Sequence, residues 1–218
     1  MERRFDLLVF DWDGTLVDST GSIVHAIRST CADLALPVPS RETASHVIGL
    51  GFKDAIAHVV PGLEEARFGE FTDRYRYHFL ANEQAISLFP GVEEGLAELD
   101  DMGFMLAVAT GKSRAGLNRA LGSLNVARRF VATRCADEGF PKPHPDMLLW
   151  LMSKLGVERE RTLMIGDTTH DLEMAANAGT PAVAVGCGAH PRESLEAHDA
   201  LACLDTTREL MQWLRENG

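Results

Sequence analysis

Short apolar runs alternate with helix-length amphipathic stretches along most of the chain. The first run, residues 5–10, is rich in β-forming side chains and broken only by Asp6, which suits a strand buried on both faces. Similar runs at 104–109, 162–165 and 181–185, with weaker ones at 130–133 and 200–204, predict further strands. Between them, amphipathic periodicity predicts helices over 92–102, 113–124, 145–155, 170–178 and 206–216. Gly103, Gly156 and Gly179 each follow one of these helices, where a left-handed residue commonly ends the turn. Strand alternating with helix reads as an α/β fold with a doubly wound parallel sheet. One region departs from this pattern. From Asp18 to Gln84 there is no convincing strand, only helical stretches at 23–36, 41–48, 52–60 and 64–82, punctuated by proline and glycine. The expected organisation is an α/β core of residues 1–17 and 85–218, interrupted by an all-helical subdomain at 18–84.

Composition narrows the partners. Of the 218 residues, 45% are hydrophobic and 24% charged, an ordinary globular balance. Lys and Arg number 21 against 32 Asp and Glu, a formal charge of −11, which excludes broad electrostatic binding of nucleic acid or anionic membrane. Met1-Glu2-Arg3-Arg4 resembles the charged start of a signal peptide, but Asp11 and Asp13 end the following apolar stretch too early. No run approaches the length of a membrane span, so a soluble, cytoplasmic protein is expected. The scattered Cys31, Cys135, Cys187 and Cys203 have no metal-ligand spacing and read as small buried hydrophobes in a reducing compartment.

Ligands of open α/β sheets bind beyond the carboxyl ends of the strands, and four such places carry polar residues here. They are Asp11-Trp12-Asp13-Gly14-Thr15, Thr110-Gly111-Lys112, Lys142 in a proline-rich turn, and Gly166-Asp167-Thr168-Thr169-His170-Asp171. Carboxylates, a hydroxyl and a lysine on one rim suit Mg²⁺ and a phosphoryl group, because Mg²⁺ takes one or two carboxylates alongside water and substrate phosphate. Gly14 would let the backbone turn close to a phosphate. Asp167 and Asp171, four apart at a helix start, share a face. Trp12 is expected to face the core, Met147, Met152 and Met174 to fill it, and His144, His170 and His190 to be polar or packing residues.

These motifs, in this order and with a helical insertion straight after the first, resemble the haloacid dehalogenase superfamily of phosphohydrolases, and most of all its phosphoglycolate phosphatase-like branch. The resemblance implies a Mg²⁺-dependent phosphatase acting on a small phosphorylated metabolite through an aspartyl-phosphate. Asp11 would be the nucleophile and Asp13 the general acid and base. Thr110 and Lys142 would hold phosphoryl oxygens, with Gly14, Thr15, Gly111 and Lys112 completing the phosphate site. Asp11, the backbone carbonyl of Asp13 and Asp167 would coordinate Mg²⁺, with Asp171 either a direct ligand or one step removed. The helical insertion would be a cap that contacts the rest of the substrate. Lys53, the only lysine in it and set in a glycine-flanked turn, is expected to point at the leaving group.

Other readings share parts of this pattern. A sugar phosphomutase has the same core motifs. A phosphonatase would need a cap lysine, which Lys53 offers, but also a small residue where Asp13 stands. A phospho-receiver signalling domain would be shorter and lack the helical insertion. Neither the substrate nor the oligomeric state can be read from these residues.

Overall fold

The computed structural model describes residues 3–122 and 124–218. Met1, Glu2 and Ser123, which fall within the expected core boundaries and the helix expected over 113–124, lie outside the described residues. The chain runs β1 (Leu7–Phe10), α1 (Thr20–Asp33), α2 (Arg41–His46), α3 (Phe52–Val59), α4 (Phe68–Ala81), α5 (Val92–Asp101) and β2 (Met105–Thr110). It continues through α6 (Arg114–Gly122), β3 (Phe130–Cys135), α7 (Asp146–Leu155), β4 (Thr162–Gly166) and α8 (Thr169–Ala178). The last elements are β5 (Ala182–Val185), α9 (Arg192–Glu196), β6 (Cys203–Leu204) and α10 (Thr207–Asn217).

The six strands form one parallel sheet in the order β3-β2-β1-β4-β5-β6. β1 is uniformly apolar because both its faces are covered. Leu8 and Phe10 pack into a cluster with Leu96 of α5, Leu117 of α6 and Leu210 of α10. Leu7 and Val9 face the opposite cluster, built with Leu148 and Leu151 of α7 and Leu172 of α8. Trp12 joins the first cluster, edge-on to Phe130 with ring centroids 6.3 Å apart. Met147, Met152 and Met174 fill the second. Gly103, Gly156 and Gly179 all adopt positive φ after their helices, as expected.

Helices α1–α4 enclose a third apolar cluster that includes Ile23, Ile27, Ile56 and Phe71. The chain enters and leaves this helical region along two adjacent segments. The Asp18 N–H donates to the Ser87 carbonyl at 2.9 Å, and the Phe89 N–H to the Leu16 carbonyl at 3.0 Å.

Departures from expectation are local. The helix expected from residue 64 begins at Phe68 after a single 3₁₀ turn at Glu65–Arg67. The five-residue α9 is too short to show a helical period. Cys187 and Cys203 are only partly buried, unlike Cys31 and Cys135, and all four thiols are free. Among the described residues no helix is long and apolar enough to cross a membrane.

Candidate active site

Strand order reverses direction at β1, which pairs with β2 on one side and β4 on the other. The carboxyl ends of these strands form the crevice where such sheets bind ligands. Asp11 follows β1 and is tied to β4 by its N–H, which donates to the Ile165 carbonyl at 2.8 Å. The chain then turns tightly. Leu16 and Val17 N–H groups both reach the Trp12 carbonyl at 3.1 Å, and Gly14 adopts φ +85°. Any side chain at position 14 would collide with Asp167, since a Cβ there would lie 2.2 Å from its Oδ2.

Four charged groups meet in this crevice. Lys142 Nζ lies 2.6 Å from Asp11 Oδ1 and 2.6 Å from Asp171 Oδ1, and all three side chains are buried. The Asp11 contact is an aligned hydrogen bond, whereas the Asp171 Oδ1 contact is an ion contact without hydrogen-bond alignment. Asp171 Oδ2 accepts from Thr168 N–H at 3.1 Å and Thr168 Oγ1 at 2.7 Å, capping α8. Asp167 Oδ1 accepts from Thr15 Oγ1 at 2.7 Å and its Oδ2 from Ala189 N–H at 2.7 Å. Thr15 therefore orients a carboxylate. Carboxylate oxygens of Asp11, Asp167 and Asp171 all lie within 4.8 Å of one another.

Burial shapes the protonation of this group. It pushes the Asp11 carboxyl up to about 7 against the pull of Lys142, with Asp171 adding to the rise. Asp167 is raised well above the ordinary range, first by burial and then by the charges of Asp11 and Asp171. Burial works against the Lys142 ammonium, but Asp11 and Asp171 outweigh it and hold its pKa above the usual value.

A divalent cation fits these residues. With all three carboxylates ionised, the single ammonium would leave two negative charges uncompensated in a space with almost no solvent, which a divalent cation would balance. Asp11 Oδ2 is buried and has no hydrogen-bond partner, an orphaned acceptor of the hard-oxygen kind that Mg²⁺ prefers.

Asp13 stands at the mouth of the crevice. Its Oδ1 accepts from Ser19 Oγ at 2.5 Å and its Oδ2 pairs with Lys112 Nζ at 3.0 Å. Lys112 also places its ammonium 5.0 Å above the Phe79 ring of α4. Thr110 is fully buried at the end of β2, where its Oγ1 accepts the Lys112 N–H at 3.2 Å, leaving the hydroxyl proton free to donate elsewhere. Gly111 touches the helical region so closely that a Cβ there would sit 2.6 Å from the Gly49 carbonyl oxygen.

A cavity of about 490 Å³ extends from Asp11 and Asp13 into the helical region, bounded by α1, α3, α4 and α6. Lys53, expected to point toward the leaving group, is exposed on the first turn of α3, and Leu50 and Phe52 line the cavity beside it. His170 and His190 are structural: both bring Nε2 to the His46 carbonyl, at 2.8 and 3.0 Å, and His190 Nδ1 accepts the Thr169 N–H. Burial lowers both pKa values, that of His190 to about 4.

Sequence reasoning missed Ser19, Gly188 and Ala189 and gave Thr168 no role, because the importance of all four lies in what they touch. The Gly-Cys-Gly sequence at 186–188, directly after a strand, was the available signal for close backbone approach.

The family model for haloacid dehalogenase-like hydrolases matches residues 8–185. The chain belongs to this family. Two curated relatives are phosphatases by name. "Probable phosphatase IndB" of Dickeya dadantii is 38% identical over 212 residues, covering 94% of this chain and 91% of the relative. A phosphoglycolate phosphatase of Agrobacterium fabrum is 32% identical over 188 residues, covering 84% and 81%. Among solved structures, one titled as a predicted phosphoglycolate phosphatase from Haemophilus somnus superposes with a TM-score of 0.87 at 25% identity, covering 97% of this chain and 99% of that one. The haloacid dehalogenase-like assignment makes the protein an enzyme, and the crevice at the β1 switch point is its candidate active site.

Proposed function

We propose that this haloacid dehalogenase-like enzyme is a Mg²⁺-dependent phosphatase that hydrolyses a small phosphomonoester through an aspartyl-phosphate. The observation that carries the reading is Asp11: a buried carboxylate with one oxygen held by Lys142 and the other without a partner. Asp11 attacks phosphorus, a P–O bond to Asp11 forms, and the P–O bond to the leaving alcohol breaks. Asp13, held by Ser19 and Lys112, gives the departing alkoxide a proton. It then takes a proton from the water that attacks the phospho-aspartate, which regenerates Asp11 and releases inorganic phosphate. Lys142 neutralises phosphoryl oxygen and fixes Asp11, while Thr110 and the Gly111–Lys112 backbone bound the phosphate.

Asp11, the Asp13 carbonyl and Asp167 would hold Mg²⁺, whose contribution when bound is to offset phosphoryl charge. Asp171 we assign to positioning Lys142, since one of its oxygens caps α8 and the other faces the ammonium. Residues 18–84 act as a cap whose cavity receives the alcohol portion.

The test is phosphate release from a panel of phosphomonoesters with Mg²⁺ titrated in, comparing the parent with Asp11→Asn. Turnover in the parent and none in the variant is the expected result. A phosphoryl shift without free phosphate would point to a mutase instead.

A further inference from the structure

We infer that the alcohol portion of the substrate is an uncharged aromatic body, a class quite different from a small anionic acid such as glycolate. This inference rests on the proposed phosphatase reading of the site.

The cavity above Asp11 and Asp13, about 490 Å³, is within the usual size range of small-molecule sites and far larger than a two-carbon acid requires. Its walls are chiefly apolar, with Ile27 from α1, Phe52 and Ile56 from α3, and Phe71, Tyr75 and Phe79 from α4. Four of these six are rings in mutual contact. Phe52 and Tyr75 have centroids 5.1 Å apart, Phe52 and Phe71 6.4 Å, and Tyr75 and Phe79 5.9 Å in a near-parallel stack. Such a wall rewards a flat ring through offset or edge contact as well as through water released on burial.

The charges around the cavity argue against an anionic body. Among the described residues three cations line it, two of them closely paired with a carboxylate and the third, Arg76, turned out to solvent. Lys112 pairs with Asp13 at 3.0 Å, Arg119 with Glu83 at 2.8 Å, and Arg76 lies 3.9 Å from Asp73. Lys53 does not line the cavity. Burial, and next the charge of Asp13, raise the Tyr75 pKa, so its phenol stays neutral. A carboxylate placed among these rings would lose its hydration and meet no buried cation that is not already paired.

The experiment compares kcat/KM for 1-naphthyl phosphate, phosphoglycolate and acetyl phosphate with Mg²⁺ present, in the parent and in Phe52→Ser. Calorimetric binding of the two esters to Asp11→Asn runs alongside. The inference expects 1-naphthyl phosphate to exceed phosphoglycolate by about tenfold or more in kcat/KM, within the range a hydrophobic pocket provides. The ratio of 1-naphthyl phosphate to acetyl phosphate should fall about tenfold in Phe52→Ser, provided circular dichroism shows that variant folded. Tyr75→Ser serves the same purpose if Phe52→Ser does not fold. Phosphatase activity that prefers phosphoglycolate overturns the inference and leaves the phosphatase reading standing. If no ester releases phosphate, the phosphatase reading fails, and binding decides the inference. Tighter binding of 1-naphthyl phosphate than of phosphoglycolate upholds it, and the reverse order overturns it.

Discussion

Gly188→Ala tests whether the carboxylate geometry is held by backbone contact. A Cβ at position 188 would lie 2.0 Å from Asp167 Oδ2, 2.3 Å from its Cγ and 2.4 Å from its Cβ. Rotating the Asp167 side chain would relieve the first two contacts but not the third, because that Cβ is fixed to the end of β4. Ordinary contact begins at 3.4 Å, so the two backbone segments must separate by about 1 Å. That movement carries away the Ala189 N–H, which now donates to Asp167 Oδ2 at 2.7 Å. Hydrogen bonds to charged groups contribute about 1.5–3 kcal/mol, and misplacement by about 1 Å can cost roughly 10²-fold in rate. The variant should therefore need at least about tenfold more Mg²⁺ for half-maximal phosphate release, which corresponds to the low end of that energy. Gly186→Ala is the control, because a Cβ there would meet only the Leu204 carbonyl oxygen at 3.6 Å. The assay is a Mg²⁺ titration of initial rates, with the thermal midpoint measured in chelator to confirm folding. A Gly188→Ala titration that overlays the parent's would refute the reasoning.

Four further outcomes are expected. Lys142→Met leaves two buried carboxylates without their cation, which costs about 3–5 kcal/mol. At roughly 2–4 °C per kcal/mol for a chain of this size, the midpoint in chelator should fall by roughly 6–20 °C, and an unchanged midpoint would contradict the buried ion group. Asp11→Asn should abolish turnover, and Asp13→Asn should lower it by about 10²–10⁴ with a near-parental circular dichroism spectrum; near-normal rates in the second variant would show that another group is the acid. Burial pushes the Cys135 thiol up to about 12, so it stays protonated at mildly alkaline pH. Iodoacetamide at that pH should leave Cys135 unlabelled in the native protein and label it after unfolding, as read by peptide mass spectrometry.

The parts of this enzyme that sequence makes legible are those where chemistry dictates both residue type and place. Asp11, Asp13, Lys142 and Asp167 stand beyond strand ends, and an apolar run followed by an acid is visible without a structure. Partners joined across long separations are not visible in that way. Thr15 and Asp167 meet over 152 residues and Ala189 and Asp167 over 22, and nothing in a local window marks either pair. The helical region shows a different limit. Apolar positions such as Ile23 and Ile27 on α1, Ile56 on α3 and Phe71 on α4 mark the inward faces of their helices, but the same pattern serves a closed core and a cavity wall. These four residues do both. Lys53, exposed at the start of α3, illustrates a related limit. A glycine-flanked turn locates the start of α3, yet it leaves the direction of the third residue to tertiary packing.

Two materials thus meet at the mouth of the crevice. Below it lies a buried charge group whose desolvation is costly and which, on the proposed mechanism, would meet only the phosphoryl group and metal that any phosphate ester brings. The clusters on both faces of the sheet provide the stability that offsets this cost. Above it lies an apolar chamber whose shape depends on how α1, α3 and α4 pack. Lys112 belongs to both. Its ammonium sits 3.0 Å from the proposed acid, Asp13, and 5.0 Å from the ring of Phe79 on α4. A ligand that shifts α4 alters the setting of that ammonium, and with it the electrostatic surroundings of Asp13. On the proposed mechanism, occupancy of the apolar chamber would be linked to proton transfer at Asp13 through this one side chain, which the strand-end motif places in the site without revealing its contact with α4.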